Sequence, residues 1–256
     1  MKKLGLALGA GSSKGFAHIG VLQVLTENKI PISMIAGSSM GAVIGGIYAS
    51  GGDMHILEKY IKTLNLYEKV DLSLNGGLIK GEKFEELIRI FTHDYSIGDT
   101  PIPFYCSAVN IRTGELYEFE KGKLHRAIRA SMSIPGLFQP VNIDNEIYVD
   151  AGVISRVPSE LIIKHGADVI LGVDVGYRGE GFIGDEINPY NVINHSFDIL
   201  QWEKMKIQRN REDILLLPKV RFVKGRFSTD SITEVVQEGR RVATEALGKL
   251  RELLDD

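Results

Sequence analysis

The chain has 256 residues, 44% of them hydrophobic and 25% charged, the size and balance of a folded α/β domain with a substantial core. A net charge of -3 supplies no excess of basic groups for neutralising phosphates, which argues against a nucleic-acid partner. The single cysteine, Cys106, excludes an internal disulfide and fits a reducing compartment.

The chain opens MKKLGLALGAGSSKGFAHIGVL. Lys2 and Lys3 precede an apolar run that breaks at Gly9, shorter than the roughly 7 to 15 apolar residues of a signal sequence. A strand is expected over residues 4–8 and a helix over 15–28, where Phe16, Ile19, Leu22 and Leu25 recur at helical spacing. A second strand at 32–36, the run GSSMG and a small-residue helix at 42–50 follow. This is β-α-β-α with tight turns, so the two strands should lie parallel with a right-handed crossover.

Residues 54–95 read as mostly helical, with a loop at 72–77. Strands at 103–109 and 115–120 flank the turn Arg112-Thr113-Gly114. A helix at 124–131 is stopped by Ile134-Pro135-Gly136, and a strand at 147–149 ends at Asp150. Then come a helix at 158–165 and an apolar strand at 169–175. The glycine-rich stretch 177–190 is a candidate mobile loop or lid. A helix at 191–210, a strand at 213–217 and a helix at 230–253 complete the pattern. No stretch approaches the roughly 18 to 20 apolar residues that span a bilayer. The alternation points to one α/β domain over residues 1–256 with a mostly parallel sheet.

Two motifs carry chemistry. In the first, Gly9 and Gly11 fit the start of G-x-G-x-x-G, but the sixth position is Lys14 and the third glycine is Gly15. The acidic residue that should follow about 20 positions on is missing, since the second strand ends in Ala36-Gly37-Ser38. A P-loop fits no better, because its lysine follows the glycine rather than preceding it. The remaining chemical reading uses the main chain. Glycines let a substrate approach the backbone, and a helix N-terminus behind them offers free N–H groups to an oxyanion. A plain strand-to-helix turn is the alternative.

The second motif, Gly37-Ser38-Ser39-Met40-Gly41, is G-x-S-x-G between strand and helix, the setting of a nucleophile elbow. Gly37 and Gly41 relieve crowding so that the Ser39 hydroxyl stands clear, and the Met40 N–H would face the same oxygen as the glycine loop. A glycine-rich packing turn is the alternative. Six histidines are available as a base. His18, His55, His93, His125 and His165 read as surface or capping residues. His195 completes a Ser-Asp-His order, but that fold needs several strands before its elbow and this chain has one. An aspartate acting directly remains. Asp150 ends a strand before Ala151-Gly152, with Asp168 and Asp174 as rivals that spacing alone does not separate.

Taken in order, GAGSSKGFAHIGVL, GSSMG and YVDAG resemble the patatin-like phospholipases. IRASMSIPGLFQPV and GVISRVPSELIIKHGADVILGVDV resemble the small bacterial members, and the likeness runs over about residues 4–250. The resemblance implies a three-layer α/β sandwich with a mostly parallel central sheet, and a Ser-Asp dyad without histidine. Ser39 is then the nucleophile and Asp150 the general base. The family's G-G-G-x-[RK]-G falls on Ala10-Gly11-Ser12-Ser13-Lys14-Gly15, which implies oxyanion donors at the N–H groups of Gly11 and Ser12, joined by Met40. Lys14 matches the basic position and is expected to brace the loop. Gly9, Gly15, Gly37, Gly41 and Gly152 support the motifs. The chain departs from the pattern at Ala10, Ser12 and Ala151, and a hole at Ser12 survives only if the backbone torsions do.

The implied reaction is acyl transfer: Ser39 attacks an ester carbonyl, Asp150 takes its proton, and water hydrolyses the acyl-enzyme. The implied substrate is a phospholipid, a lysophospholipid or a simpler fatty ester. A free aspartate titrates near about 3.9, so the site has to raise Asp150 or compensate through the oxyanion hole. No metal or cofactor is expected, since the sequence has neither a calcium loop nor zinc-type Cys/His spacing. Met132, Ile134, Leu137 and Phe138 read as core, with an acyl groove as the alternative. Lys204, Lys206, Arg209 and Arg211 read as a solvated helix face, with contact to anionic lipid as the alternative. The expected location is cytoplasmic, with transient contact at a membrane surface. Two other functions stay open: a non-enzymatic nucleotide- or lipid-binding module, motivated by Ala10 and Ser12, and an acyltransferase.

Overall fold

The computed structural model describes residues 2–64, 71–72, 76–179, 189–207, 211–220 and 229–255. The chain begins with β1 (Leu4–Leu8), a 3₁₀ turn (Ser12–Phe16) and α1 (Ala17–Glu27), then β2 (Met34–Gly37) and α2 (Met40–Ala49). Next are α3 (Met54–Thr63), β3 (Gly77–Ile79), α4 (Glu82–Phe91), β4 (Phe104–Asn110), β5 (Leu116–Glu118) and α5 (Leu124–Ser131). Three short strands follow, β6 (Gly136–Phe138), β7 (Val141–Ile143) and β8 (Glu146–Val149), and then a second 3₁₀ turn (Ala151–Val153). The rest is α6 (Ser159–Lys164), β9 (Val169–Val173), α7 (Pro189–Ile207), β10 (Ile214–Leu216) and α8 (Thr229–Asp255).

The main sheet runs in the order β10-β9-β1-β2-β4-β8-β7, with β5 also paired to β4. Pairing is parallel from β10 to the start of β4 and antiparallel among β4, β5, β8 and β7. From β1 the chain moves outward through β2 and β4, then returns to place β9 and β10 on the other side. Strand order therefore reverses at β1, and the crevice beyond the carboxyl ends of such strands is where α/β sheets place their sites. Leu8 pairs with Gly37 on one side and Val173 on the other, so all three strands open onto that crevice together.

The period of two along the central strands sorts residues by size. Leu4, Leu6, Leu8, Ile35, Leu171 and Val173 point into the larger core with α1, α2 and α8. Ala7, Met34, Ala36 and Ile170 face Leu161 and Ile162 of α6. Helices thus cover both faces of a mostly parallel sheet, as such sheets require.

Most expected elements are present with boundaries moved by a few residues. Residues 54–95 are less helical than expected, because β3 separates α3 from α4. The strands β3, β6 and β7 were not legible, since three residues hold no periodic signal. The turn joining β7 to β8 is tight: Asp144 and Asn145 take φ of 53° and 66°, left-handed at both centres as a two-residue hairpin requires. Most of the candidate lid at 177–190 lies outside the described residues, as does Arg209. Among the described residues no helix is long and apolar enough to cross a membrane.

Candidate active site

Ser39 lies where β2 turns into α2. Its φ of 54° and ψ of -121° belong to a region that non-glycine residues seldom occupy, a strain of order 1–3 kcal/mol that the surroundings must hold. The flanking glycines make the turn sterically open. A Cβ on Gly41 would sit 2.1 Å from the Leu8 carbonyl oxygen, and one on Gly37 would sit 2.4 Å from Ala42 Cα. The Ser38 N–H donates to Leu8 O at 3.0 Å, and the Ser38 hydroxyl donates to Ser155 O at 2.8 Å. The Ser39 N–H donates to Ser131 Oγ, at the end of α5, at 3.2 Å.

Asp150 follows β8 and opens the second 3₁₀ turn. Its N–H donates to Ser133 O at 3.0 Å, so the segment that holds Ser39 also holds Asp150. Its Oδ1 accepts the Gly152 N–H at 2.7 Å, and its Oδ2 accepts the Ser39 hydroxyl at 2.6 Å. The carboxyl is buried, and burial pushes its pKa up to about 7, while both hydrogen bonds pull the other way. A carboxyl of that pKa, set against the hydroxyl proton, can accept it near neutral pH as the oxygen attacks an electrophile.

The glycine loop leaves β1 through Gly9, whose N–H donates to Val173 O at 2.9 Å, and Ala10, whose N–H donates to Arg156 O at 2.8 Å. Lys14 closes the turn through its main chain, N–H to Gly11 O at 3.1 Å. Ser12 has φ of 50°, the left-handed torsion for which glycine is the usual residue. Among the described residues the N–H groups of Gly11, Ser12 and Met40 donate to no protein acceptor. A Cβ on Gly15 would lie 2.3 Å from Met40 Cγ, so the loop and the elbow are packed together.

The rival acids are engaged elsewhere. Asp174 is bidentate on buried Arg156, with Nε to Oδ1 at 2.8 Å and Nη2 to Oδ2 at 2.9 Å. Asp168 accepts the Lys3 N–H at 2.8 Å at the surface. Among the described residues Ser39 Oγ donates to Asp150 and to no histidine. His18 is neither a surface nor a capping residue, contrary to expectation. It is fully buried and donates from Nε2 to Gly9 O at 2.8 Å, and burial lowers its pKa to about 4. His125 and His165 are part-buried against Glu85 and Glu118. His195 packs edge-on to the Tyr177 ring.

Met132 and Phe138 are core, with Ile134 and Leu137 packed against it. On α7, Gln201 donates to Gly152 O and Lys204 to Ile154 O, and Lys206 lies over the Trp202 ring. Arg211 pairs with Glu160. Sequence reasoning missed Arg156, Ser131, Ser133 and Gln201 as supports of the site. Their partners lie far along the chain, and only the isolated Arg156 between apolar segments gave a local signal.

Fold and site together define a class: α/β proteins in which a serine on a strand-to-helix elbow is paired with a buried aspartate. Residues 6–163 match the family model described as patatin-like phospholipase, and the chain belongs to that family. An uncharacterized NTE family protein of Mycobacterium tuberculosis is 35% identical over 176 residues, which make up 68% of this chain and 49% of that protein. Lysophospholipase NTE1 of Debaryomyces hansenii is 33% identical over 184 residues, covering 68% of this chain and 12% of that protein. The chain thus spans about half the length of the first of these relatives or less. Among solved structures, VipD from Legionella pneumophila shares the fold with a TM-score of 0.69 at 15% identity, covering 97% of this chain and 67% of VipD. ExoU in its complex with SpcU, from Pseudomonas aeruginosa, gives 0.53 at 17% identity, over 98% of this chain and 52% of that one.

Proposed function

We propose that the chain is a serine lipid acyl hydrolase of the carboxylic-ester type, acting through a Ser39–Asp150 dyad. The observation that carries this reading is the 2.6 Å contact between the Ser39 hydroxyl and an aspartate whose burial raises its pKa to about 7. Ser39 Oγ attacks the ester carbonyl as its proton passes to Asp150 Oδ2. The proton is returned to the departing alkoxide, leaving an acyl-serine. A water then attacks that ester, Asp150 accepts its proton, and the acid leaves as Ser39 is reprotonated. The unengaged N–H groups of Gly11, Ser12 and Met40 are the donors proposed for the tetrahedral oxyanion. A lipid ester as substrate is supported by the family and by relatives named as lysophospholipases.

A fluorophosphonate probe followed by peptide mapping tests the nucleophile, and the expected label is on Ser39. Ser39→Ala should abolish hydrolysis of fatty esters. Asp150→Asn should lower kcat by about 10²- to 10⁴-fold, the usual worth of a general base. His195→Ala should leave turnover in place. Ester hydrolysis that survives Ser39→Ala, or that dies with His195 and not with Asp150, overturns the dyad.

A further inference from the structure

The peptide joining Gly9 to Ala10 is the last one before the loop that carries Gly11 and Ser12, and it is gripped at both polar ends. Its carbonyl accepts from His18 Nε2 at 2.8 Å, and its N–H donates to Arg156 O at 2.8 Å. The strand pairing of β1 has ended there, at the Leu8–Val173 register. Beyond Gly9 N–H, these two bonds set the direction in which the chain leaves the sheet. The Arg156 side is rigid, because its guanidinium is locked on Asp174 and also donates to Tyr177 O at 2.6 Å. The His18 side comes from the first turn of α1, nine residues further on, so the helix behind the loop reaches back and closes it.

We propose that His18 is a positioning residue for the oxyanion loop, holding the Gly9 carbonyl so that the N–H groups of Gly11 and Ser12 keep their aim. This rests on the acyl-hydrolase reading of the site. Two further facts set His18 apart from a packing residue. Its ring is buried and neutral at pH 7, so it has a single N–H, and that one goes to the loop. Its Nδ1 has no partner among the described residues. Leaving a buried acceptor unpaired costs stability, so an apolar side chain would serve the core better than this one. What the imidazole adds is the bond to Gly9.

The test compares His18→Leu with His18→Gln in the full chain. Leucine fills the space without a donor, whereas the glutamine amide nitrogen takes the branch position of Nε2. Two readouts are used: steady-state turnover of a soluble p-nitrophenyl ester, and amide hydrogen exchange in the peptide covering residues 9–16. His18→Leu should lower kcat by about 10- to 100-fold with KM little changed, the scale of loss for a modest misplacement of catalytic groups. Exchange in the loop should rise. His18→Gln should restore most of both. Wild-type kcat in His18→Leu overturns the proposal, whatever the exchange does. So does an equal loss in a folded His18→Gln, which would make the ring's shape the requirement. If His18→Leu does not fold, His18→Gln decides alone: near-wild-type kcat and exchange support the bond, and a folded but slow variant overturns it. If the wild type hydrolyses no ester, the acyl-hydrolase reading fails. The exchange comparison then still decides: unchanged exchange overturns the clamp, and raised exchange restored by glutamine supports it.

Discussion

A carboxylate takes a serine proton near pH 7 more readily when its pKa is raised from the ordinary range, and burial raises Asp150 in this way. As the proposed base Asp150 would work ionised, so kcat/KM should climb with pH through about 7 and level off above it. A profile already flat at pH 5 would mean that the carboxyl titrates in its ordinary range. The same shift has a stability signature. The folded pKa of about 7 lies above the ordinary value of 3.8, so folding favours the protonated form. That contribution is complete below 3.8 and lost as pH rises to about 7. Asp150→Asn stays neutral throughout. Its Tm should therefore gain on that of the wild type across this window, and the difference should stay constant above it. A Tm difference that ignores pH would show that Asp150 titrates alike in the folded and unfolded chain.

Element by element, the chain shows which parts of a site are local. The elbow was legible because strand, Gly37, Ser39, Gly41 and helix follow one another within a few residues, and the collisions that demand those glycines involve the turn itself and β1. The departure at Ser12 was legible too, and its φ of 50° shows that the serine keeps the torsion glycine would supply. The choice between Asp150 and Asp174 was not legible. Both follow strands, and what separates them is Arg156, eighteen residues before Asp174, reached only when β9 and the turn after β8 come together. The side chains of Arg156 and Asp174 are almost wholly buried, and the Arg156 carbonyl also holds Ala10. Asp174→Ala strands a guanidinium in the interior, which should cost about 3–5 kcal/mol in urea unfolding. A loss below about 1 kcal/mol would place the pair among ordinary surface bridges, and the rigidity of the loop would need another source.

At the scale of the molecule, the family match ends at residue 163, yet the last helix bears on the glycine loop. α8 packs along α1, the helix that begins at the end of the first 3₁₀ turn and carries His18. The contact is backbone on backbone. A Cβ on Gly20 would meet Val236 O at 2.0 Å, and one on Gly239 would meet Ala17 O at 2.0 Å. Arg240 adds bonds to Glu27 at 2.8 and 2.7 Å and to Gln23 at 3.0 Å. In sequence these glycines look like weak points in two helices, because nothing local records that each faces the helix that carries the other. Gly248, on the same helix, has nothing within 4 Å of its missing Cβ and is exposed. The two positions should therefore answer the same substitution with opposite signs. Gly248→Ala gains helix propensity, up to about 1 kcal/mol, and should raise Tm. Gly239→Ala gains as much propensity but forces α8 off Ala17. Overpacking of about 1–3 kcal/mol should outweigh the gain and lower Tm, by roughly 2–4 °C per kcal/mol for a chain of this size. Ester turnover should fall with Gly239→Ala and stay level with Gly248→Ala, because only the first disturbs the helix that supports the loop. If both variants gain stability alike, α8 tolerates being lifted from α1. The loop would then draw its rigidity from β1, His18 and Arg156 alone.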